Sequence, residues 1–204
     1  MICIIGPTAS GKTALAVAVA HWLSGEIISA DSRQVYRGMD LGTGKDLSEY
    51  SGSRGEGMAV PYHLIDILPA GDKYDVFRYQ QDFDAVYSDI VSRGKMPVLC
   101  GGSGLYIEAA IGTTNYVPVP VTEELRTGLA ERSLDELSEI LTDLLGSEAL
   151  HNHTDTDTRE HALRAIEIAT YKKQNPVAKR VPPPYQLFTL HFEPSILRSR
   201  IKER

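Results

Sequence analysis

Short apolar runs alternate with segments of helical periodicity along most of this chain. The runs at 2–5, 26–30 and 96–100 have the length of buried strands, and each is followed directly by glycine or aspartate. Between these runs, apolar side chains recur at helical spacing, which predicts amphipathic helices at 11–23 and 76–93. The alternation predicts an α/β fold with three layers, in which a parallel sheet carries helices on both faces.

The remainder of the chain extends this pattern less regularly. Proline is frequent in residues 174–185, and because proline fixes φ and lacks an N–H donor, we predict an extended connector there. We expect residues 1–112 and 155–204 to form the core, with residues 113–154 as a short helical insertion. The further predicted elements are a short strand at 63–67, helices at 134–145, 159–173 and 196–204, and a strand at 186–192.

The composition is that of an ordinary globular protein, with 42% hydrophobic and 24% charged residues among 204. The sequence has no apolar run of membrane-spanning length and no secretory signal pattern. Cys3 and Cys100 lie in predicted strands without a second cysteine or a histidine at metal-ligand spacing, so we expect reduced core thiols. We therefore predict a cytoplasmic protein without membrane association. We also expect a monomer, although none of these observations bears on oligomeric state.

The net charge is −6, but the charged residues are distributed unevenly along the chain. Residues 159–204 contain 10 Lys and Arg against 4 Asp and Glu, whereas the preceding 158 residues are acidic, with 11 against 23. A basic C-terminal quarter of this kind suits a polyanionic partner, and it equally suits a solvated helix face beside a polar connector.

The first chemical motif is a P-loop between the first predicted strand and helix. The segment reads GPTASGKT and matches G-x-x-x-x-G-K-[ST] at every defined position. Its backbone N–H groups and the helix N-terminus favour phosphate, Lys12 adds a positive charge, and Thr13 is placed to hold Mg²⁺. We predict that a diphosphate or polyphosphate contacts Gly6, Pro7, Thr8, Ala9, Ser10, Gly11, Lys12 and Thr13.

Two further segments follow predicted strands, at the edge of the sheet where α/β folds bind ligands. Asp31 comes directly after the strand at 26–30, where it could accept a proton, hold Mg²⁺ through water, or simply cap a turn. Ser103 lies in the glycine-rich run 101–104 and could donate a hydrogen bond to a phosphate or to an acceptor group.

In order and spacing, these segments resemble the signatures of one family, the tRNA dimethylallyltransferases or isopentenyl-pyrophosphate transferases. The resemblance is carried by GPTASGKT, ISADSRQVYRGMDLGTGK, YHLIDIL and RGKMPVLCGGSGLYIEA. Later segments, REHALRAIEIA and LRSRIKER, extend it over nearly the whole chain. Family members normally continue with further helices, so the resemblance implies a chain truncated at its C-terminus.

This resemblance implies a P-loop fold that transfers a dimethylallyl group from dimethylallyl diphosphate to N6 of adenosine in the tRNA anticodon loop. Asp31 stands at the position of the general base, and Lys12 with Mg²⁺ at Thr13 would stabilise the leaving pyrophosphate. Ser103 replaces the family's usual threonine and keeps its hydroxyl. Arg204 is implied as a further diphosphate contact. The implied tRNA contacts are Asp31, Ser32, Arg33, Gln34, Glu160, His161 and Arg164.

Alternative functions remain open on the sequence. The same transfer could act on a free adenine nucleotide such as AMP, ADP or ATP, which the acidic first 158 residues allow. A P-loop small-molecule kinase would instead use Asp31 to orient a hydroxyl group. A non-catalytic nucleotide-binding module is the fourth reading.

Overall fold

The chain forms two compact units. The computed structural model describes residues 1–45, 47–51, 59–146 and 156–203. The first unit contains Met1–Tyr116 together with the chain from Arg180, and the second contains Val117–Lys179.

A parallel sheet of five strands forms the centre of the first unit. Its spatial order is β3-β2-β4-β1-β5, and every neighbouring pair is parallel. This arrangement confirms the predicted α/β class with a parallel sheet. The strands are β1 (Ile2–Ile5), β2 (Glu26–Ala30), β3 (Tyr62–His63), β4 (Pro97–Gly101) and β5 (Gln186–Thr189).

Helices cover both faces of this sheet. The helices of this unit are α1 (Lys12–Trp22), α2 (Leu47–Tyr50), α3 (Val76–Ser92), α4 (Gly104–Ile111) and α8 (Pro194–Glu203). On one face Ile28 and Leu99 pack with aromatic residues of α3 and alanines of α4. On the other face their sequence neighbours Ile27 and Val98 pack with alanines of α1. Alternate residues of each strand therefore enter different cores, as a sheet covered on both sides requires.

Both cysteines lie in these cores as free thiols, as predicted. Burial raises the pKa of Cys3 to about 12 and that of Cys100 to about 12, so both stay protonated at neutral pH. None of the helices in the described ranges has the length and hydrophobicity needed to cross a membrane.

The second unit is helical and contains α5 (Glu123–Gly128), α6 (Leu134–Leu145) and α7 (Arg159–Gln174). Ser133 starts α6 with a capping box, in which its hydroxyl and the Glu136 carboxylate each accept a backbone N–H. Leu141 of α6 and Ile166 of α7 lie in one shared core. Because α7 packs there, it belongs to this unit, whereas the predicted boundaries had placed it with the core at 155–204.

The predicted strand at 63–67 is largely wrong. Only Tyr62–His63 is a strand, because Leu64 and Asp66 adopt left-handed conformations with φ of 62° and 55°. The chain then turns towards the segment after β2, where Asp66 N–H donates to Gln34 O at 3.0 Å. The predicted strand at 186–192 is shorter than expected, since β5 ends at Thr189. As predicted, the described connector between α7 and β5 has no regular structure.

Candidate functional site

The carboxyl ends of the strands open into a cleft of about 750 Å³. The three sequence motifs meet there, as expected for segments that follow parallel strands. The lining consists of Gly6, Pro7, Thr8 and Lys12 of the P-loop, Asp31, Ser32 and Arg33 after β2, Asp40, Leu41, Gly42, Thr43 and Gly44, Gly102 and Ser103 after β4, and Ile201 of α8.

The P-loop curls between β1 and α1. Gly11, the residue that caps α1, has φ of 80°, a conformation that glycine adopts at little cost. Lys12 Nζ donates to Pro7 O at 3.3 Å, a long hydrogen bond. The hydroxyl of Ser10 is buried, and it has no hydrogen-bond partner among the described residues. Among the described residues, Lys12 therefore has only a weak hydrogen bond and the Ser10 hydroxyl has none.

The loop after β4 approaches the P-loop so closely that it requires glycine. A Cβ atom on Gly102 would lie 2.9 Å from Gly6 O and 3.8 Å from Lys12 Cε. Backbone oxygen cannot easily move away at such a distance, so a side chain would separate the two loops.

Asp31 begins a tight turn after β2. Its Oδ1 accepts the Arg33 N–H at 2.9 Å, so the turn-capping role is realised. Among the residues that the structure describes, Oδ2 has no hydrogen-bond partner. The Ser103 hydroxyl accepts the Ser32 N–H at 3.0 Å, and Ser103 N–H donates to Ala30 O at 3.1 Å. Ser103 therefore joins the third motif to the turn that carries Asp31.

Gln34 is buried rather than open to the cleft, with 7% of the residue exposed. Its Oε1 accepts a hydrogen bond from Ser29 Oγ at 3.0 Å, and its Nε2 donates to Gly44 O at 3.1 Å. The side chain thus connects β2 to the loop that forms another wall of the cleft.

A smaller cavity of about 70 Å³ lies beside the N-terminus of α1. Its lining includes Thr13, Asp31, Gln34, Thr43 and Glu49, all of which carry side-chain oxygen. Oxygen is the ligand that Mg²⁺ prefers, and Mg²⁺ usually takes only one or two protein ligands beside phosphate and water. The described residues contain no cluster of three or more His, Cys, Asp or Glu able to hold a metal ion. The lining therefore fits an Mg²⁺ ion that is carried largely by a phosphate ligand.

Sequence reasoning did not identify a buried lysine beside the cleft. Lys45 Nζ donates to Asp66, to Asp40 Oδ1 at 2.9 Å and to Tyr36 O at 2.6 Å. Burial alone lowers the pKa of Lys45, but the hydrogen bonds that it donates to Asp66 and Asp40 outweigh this effect, so that the pKa is raised above its ordinary value. No local sequence signal predicts this cluster, because Asp66 lies in another segment.

Three of the predicted tRNA contacts belong to the second unit. Arg164 donates to Val119 O at 2.7 Å and to Glu167 at 2.8 Å, and Glu160 accepts from Arg126 at 2.9 Å. Hydrogen bonds from Arg126 and Arg164 hold the pKa of Glu167 at about 2, against the upward effect of burial. These side chains therefore take part in the packing of that unit. The backbone N–H of His161 donates to Thr158, which caps α7. Arg204, the predicted diphosphate contact, lies outside the described residues.

Comparison with known proteins gives a consistent set of similarities. The family model described as IPP transferase matches residues 34–204, and the model described as isopentenyl transferase matches residues 1–54. The tRNA dimethylallyltransferase 2 of Bacteroides fragilis is 54% identical over 180 residues, which is 88% of this chain and 57% of that protein. The tRNA dimethylallyltransferase 2 of Porphyromonas gingivalis is 50% identical over 206 residues, covering 100% of this chain and 66% of that protein.

A solved structure is also similar. The full-length tRNA isopentenylpyrophosphate transferase from Bacillus halodurans matches with a TM-score of 0.60 and 33% identity, over 99% of this chain and 63% of that protein. The chain thus spans about three fifths of the length of the proteins that it resembles.

Proposed function

We propose that this chain, which belongs to the IPP transferase family, carries the centre that transfers a dimethylallyl group from dimethylallyl diphosphate to N6 of adenosine in tRNA. The relatives' names support this reaction. The observation that carries the proposal is that the P-loop, Asp31 and Ser103 line one cleft. Since the relatives extend well beyond this chain, the activity of the whole enzyme is part of the proposal.

The P-loop binds the diphosphate in this proposal. Residues 6–13 offer backbone N–H groups and the positive end of α1, which together favour an anion. Lys12 can exchange its long hydrogen bond to Pro7 for a stronger one to a diphosphate oxygen, because charge-assisted hydrogen bonds are the stronger kind. The unpartnered Ser10 hydroxyl could donate there as well. The contribution of Arg204 stays a prediction from the family resemblance.

Thr13 would hold Mg²⁺ at the smaller cavity. A bound Mg²⁺ neutralises negative charge on the departing diphosphate. The protein's own part is to present the hydroxyl of Thr13 at the start of α1, where the P-loop turns.

Asp31 accepts the proton in the proposed reaction. N6 of adenosine forms a bond to C1 of the dimethylallyl group, the bond from C1 to oxygen breaks, and pyrophosphate leaves with the electron pair. The proton lost from N6 passes to the Asp31 carboxylate. The Arg33 N–H fixes Oδ1, which leaves Oδ2 available for the proton. Ser103 supports this geometry through Ser32.

An adenosine in an anticodon loop is the acceptor that we propose. Ser32 and Arg33 line the cleft and could contact the nucleotide. Gln34 does not line the large cleft, and it supports the cleft wall through its hydrogen bond to Gly44 O. The basic residues from 159 onward could follow the phosphate backbone. An adenosine within RNA must turn out of its stack to enter such a cleft. Direct RNA contacts of Glu160, His161 and Arg164 remain predictions, and Arg164 and Glu160 make the internal hydrogen bonds described above.

The test is an acceptor competition. The chain is incubated with Mg²⁺, labelled dimethylallyl diphosphate and either unmodified tRNA or AMP. We expect label in tRNA and none in AMP. If only AMP becomes labelled, the acceptor is a free nucleotide and not tRNA. Hydrolysis of ATP or phosphoryl transfer without any prenyl donor would favour the kinase reading and contradict the proposal.

A further inference from the structure

Lys45 is a buried ammonium beside the cleft that the proposed chemistry does not use. Only 1% of the residue is exposed, although lysine rarely lies inside a protein without a partner. Its three protons are matched by three acceptors, Tyr36 O, Asp40 Oδ1 and Asp66 Oδ1. The side chain is therefore fully committed to its neighbours and cannot itself bind a ligand.

The three acceptors join separate stretches of backbone. Tyr36 begins the loop 36–45 and Asp40 lies near its middle, whereas Asp66 comes from the segment after β3. Asp66 also accepts the Arg37 Nε–H through its carbonyl at 2.8 Å, and its own N–H donates to Gln34 O. Lys45 thus joins the start, the middle and the end of this loop to the segment that carries Asp66.

The loop needs such an anchor because its backbone is intrinsically permissive. Gly38, Gly42 and Gly44 all have positive φ, with values of 72°, 79° and 68°. Glycine loses more conformational freedom on ordering than any other residue, so this loop is costly to hold in one shape. Hydrogen bonds from buried side chains provide the constraint that the backbone lacks.

The part of the loop next to Lys45 forms a wall of both cavities. Thr43 and Gly44 line the large cleft, and they also line the smaller cavity beside Thr13. Gly44 O already accepts a hydrogen bond from Gln34, so Lys45 is the second anchor on the same stretch.

Stability alone is a poor explanation for this cluster. Removing charges from water is expensive, and buried ion pairs can often be replaced by apolar side chains without loss of stability. A charged cluster under a binding loop is better explained by the single geometry that its directed hydrogen bonds impose.

We propose that Lys45 is a positioning residue, which ties Tyr36, Asp40 and Asp66 together and so keeps Thr43 and Gly44 in the cavity wall that they share with the P-loop, in the geometry that binds Mg²⁺ and diphosphate. The inference rests on the proposed function of the cleft. It assigns Lys45 no contact with substrate, and its effect acts through the wall of the smaller cavity.

The test compares Lys45→Met with Glu26→Gln, a matched loss of charge in a buried cluster at the opposite end of the sheet. Hydrogen exchange is followed by mass spectrometry in peptides that cover residues 36–45, and binding of Mg²⁺ with inorganic pyrophosphate is measured by calorimetry. We expect Lys45→Met to speed exchange in 36–45 and to weaken pyrophosphate binding about tenfold. Glu26→Gln should change neither readout, although it lowers stability.

Unchanged exchange in 36–45 and unchanged affinity in folded Lys45→Met protein would overturn the proposal. If that variant does not fold, Asp66→Asn keeps an acceptor oxygen but removes a charge, and it should produce the same local effects to a smaller degree. Exchange in 36–45 and affinity that both match wild type in Asp66→Asn would also overturn it. A wild-type chain that fails to bind pyrophosphate would contradict the proposed function, while the exchange comparison would still decide whether Lys45 holds the loop.

Discussion

Two clusters of charged side chains, each with one buried member, lie at opposite ends of the central sheet and have different surroundings. At the carboxyl end, Lys45 lies under a loop that lines the cleft. At the amino end, Glu26 opens β2, pairs with Arg93 through both carboxylate oxygens and lies 2.7 Å from His63 Nε2. Among the described residues that line the two cavities, none belongs to this second cluster. We therefore expect the Lys45 cluster to serve the geometry of the ligand site and the Glu26 cluster to serve stability.

The polar side chains at the two ends of the sheet also differ in how fully the protein satisfies their hydrogen bonds. Glu26 at the amino end uses both of its oxygens in charged hydrogen bonds. Lys12 and Asp31 at the carboxyl end keep a long hydrogen bond and an unpartnered oxygen, respectively, among the described residues. Groups that the fold leaves partly unsatisfied are the ones available to a ligand.

The largest expected effect is that of Asp31→Asn at the carboxyl end. Asparagine can still cap the turn through its oxygen, but it cannot accept the proton from N6. We expect the rate of dimethylallyl transfer to tRNA to fall about 10²- to 10⁴-fold. The thermal midpoint should stay close to wild type. A variant that retains the wild-type rate would remove Asp31 from the chemistry.

Gly102→Ala should affect binding next most strongly. The new Cβ would approach Gly6 O to 2.9 Å, so the loop after β4 and the P-loop must separate. We expect pyrophosphate affinity to fall about tenfold or more, since the P-loop amides would lose their alignment. Gly104→Ala is the matched control, because a Cβ there meets nothing within 4 Å. Equal affinities for the two variants would contradict the close approach of the two loops.

Acid should weaken the amino-end cluster through Glu26. The hydrogen bond from Arg93 lowers the pKa of Glu26 to about 2 from its ordinary value of 4.5, against the opposing effect of burial. The folded form therefore gains stability above about pH 4.5 and loses it as the pH falls towards 2, by about 2 to 3 kcal/mol. The free energy of unfolding is measured in urea for wild type and Glu26→Gln at pH 7 and at pH 3. The two proteins should differ clearly at pH 7 and less at pH 3, where much of the advantage is already lost; a difference that is constant with pH would contradict the assignment.

Asp89→Asn should have the smallest effect, although Asp89 also pairs with Arg93. The Asp89 side chain is 59% exposed, and solvent screens a pair of this kind. We expect the free energy of unfolding to change by less than about 0.5 kcal/mol. The variant also provides a control for Asp31→Asn, since the same chemical change at the amino end should leave transfer unaltered. A loss of several kcal/mol would show that the amino-end cluster depends on its exposed member.

The sequence predicted those parts of the site that local patterns determine. The P-loop is a contiguous motif, and Asp31 and Ser103 each follow an apolar run, so their meeting at one edge follows from a parallel sheet. The periodicity of α3 and α6 likewise predicted those helices within one residue at each end. Local chemistry was sufficient wherever the deciding interactions lie close in sequence.

Other features depend on contacts distant in sequence and could not be predicted in this way. The apolar pattern of YHLIDIL indicated a strand, but Leu64 and Asp66 are left-handed, and Asp66, Ile67 and Leu68 hydrogen-bond to residues 34–37 instead. The partners of Lys45 include Asp66, which lies 21 residues away. Arg164 matched a family segment, but its hydrogen bonds to Val119 and Glu167 become visible only in the folded second unit.

The proposed function depends on diphosphate binding by the P-loop at the carboxyl end of the sheet. Its most direct test is a calorimetric titration of Mg²⁺ with inorganic pyrophosphate into wild type, Lys12→Met and Lys95→Met. Lys95 is an exposed lysine before β4 at the amino end, so its replacement removes the same charge elsewhere. We expect binding to wild type and Lys95→Met, with affinity lower by about ten- to a hundredfold in Lys12→Met. Equal affinity in all three proteins, or no binding to wild type, would contradict it.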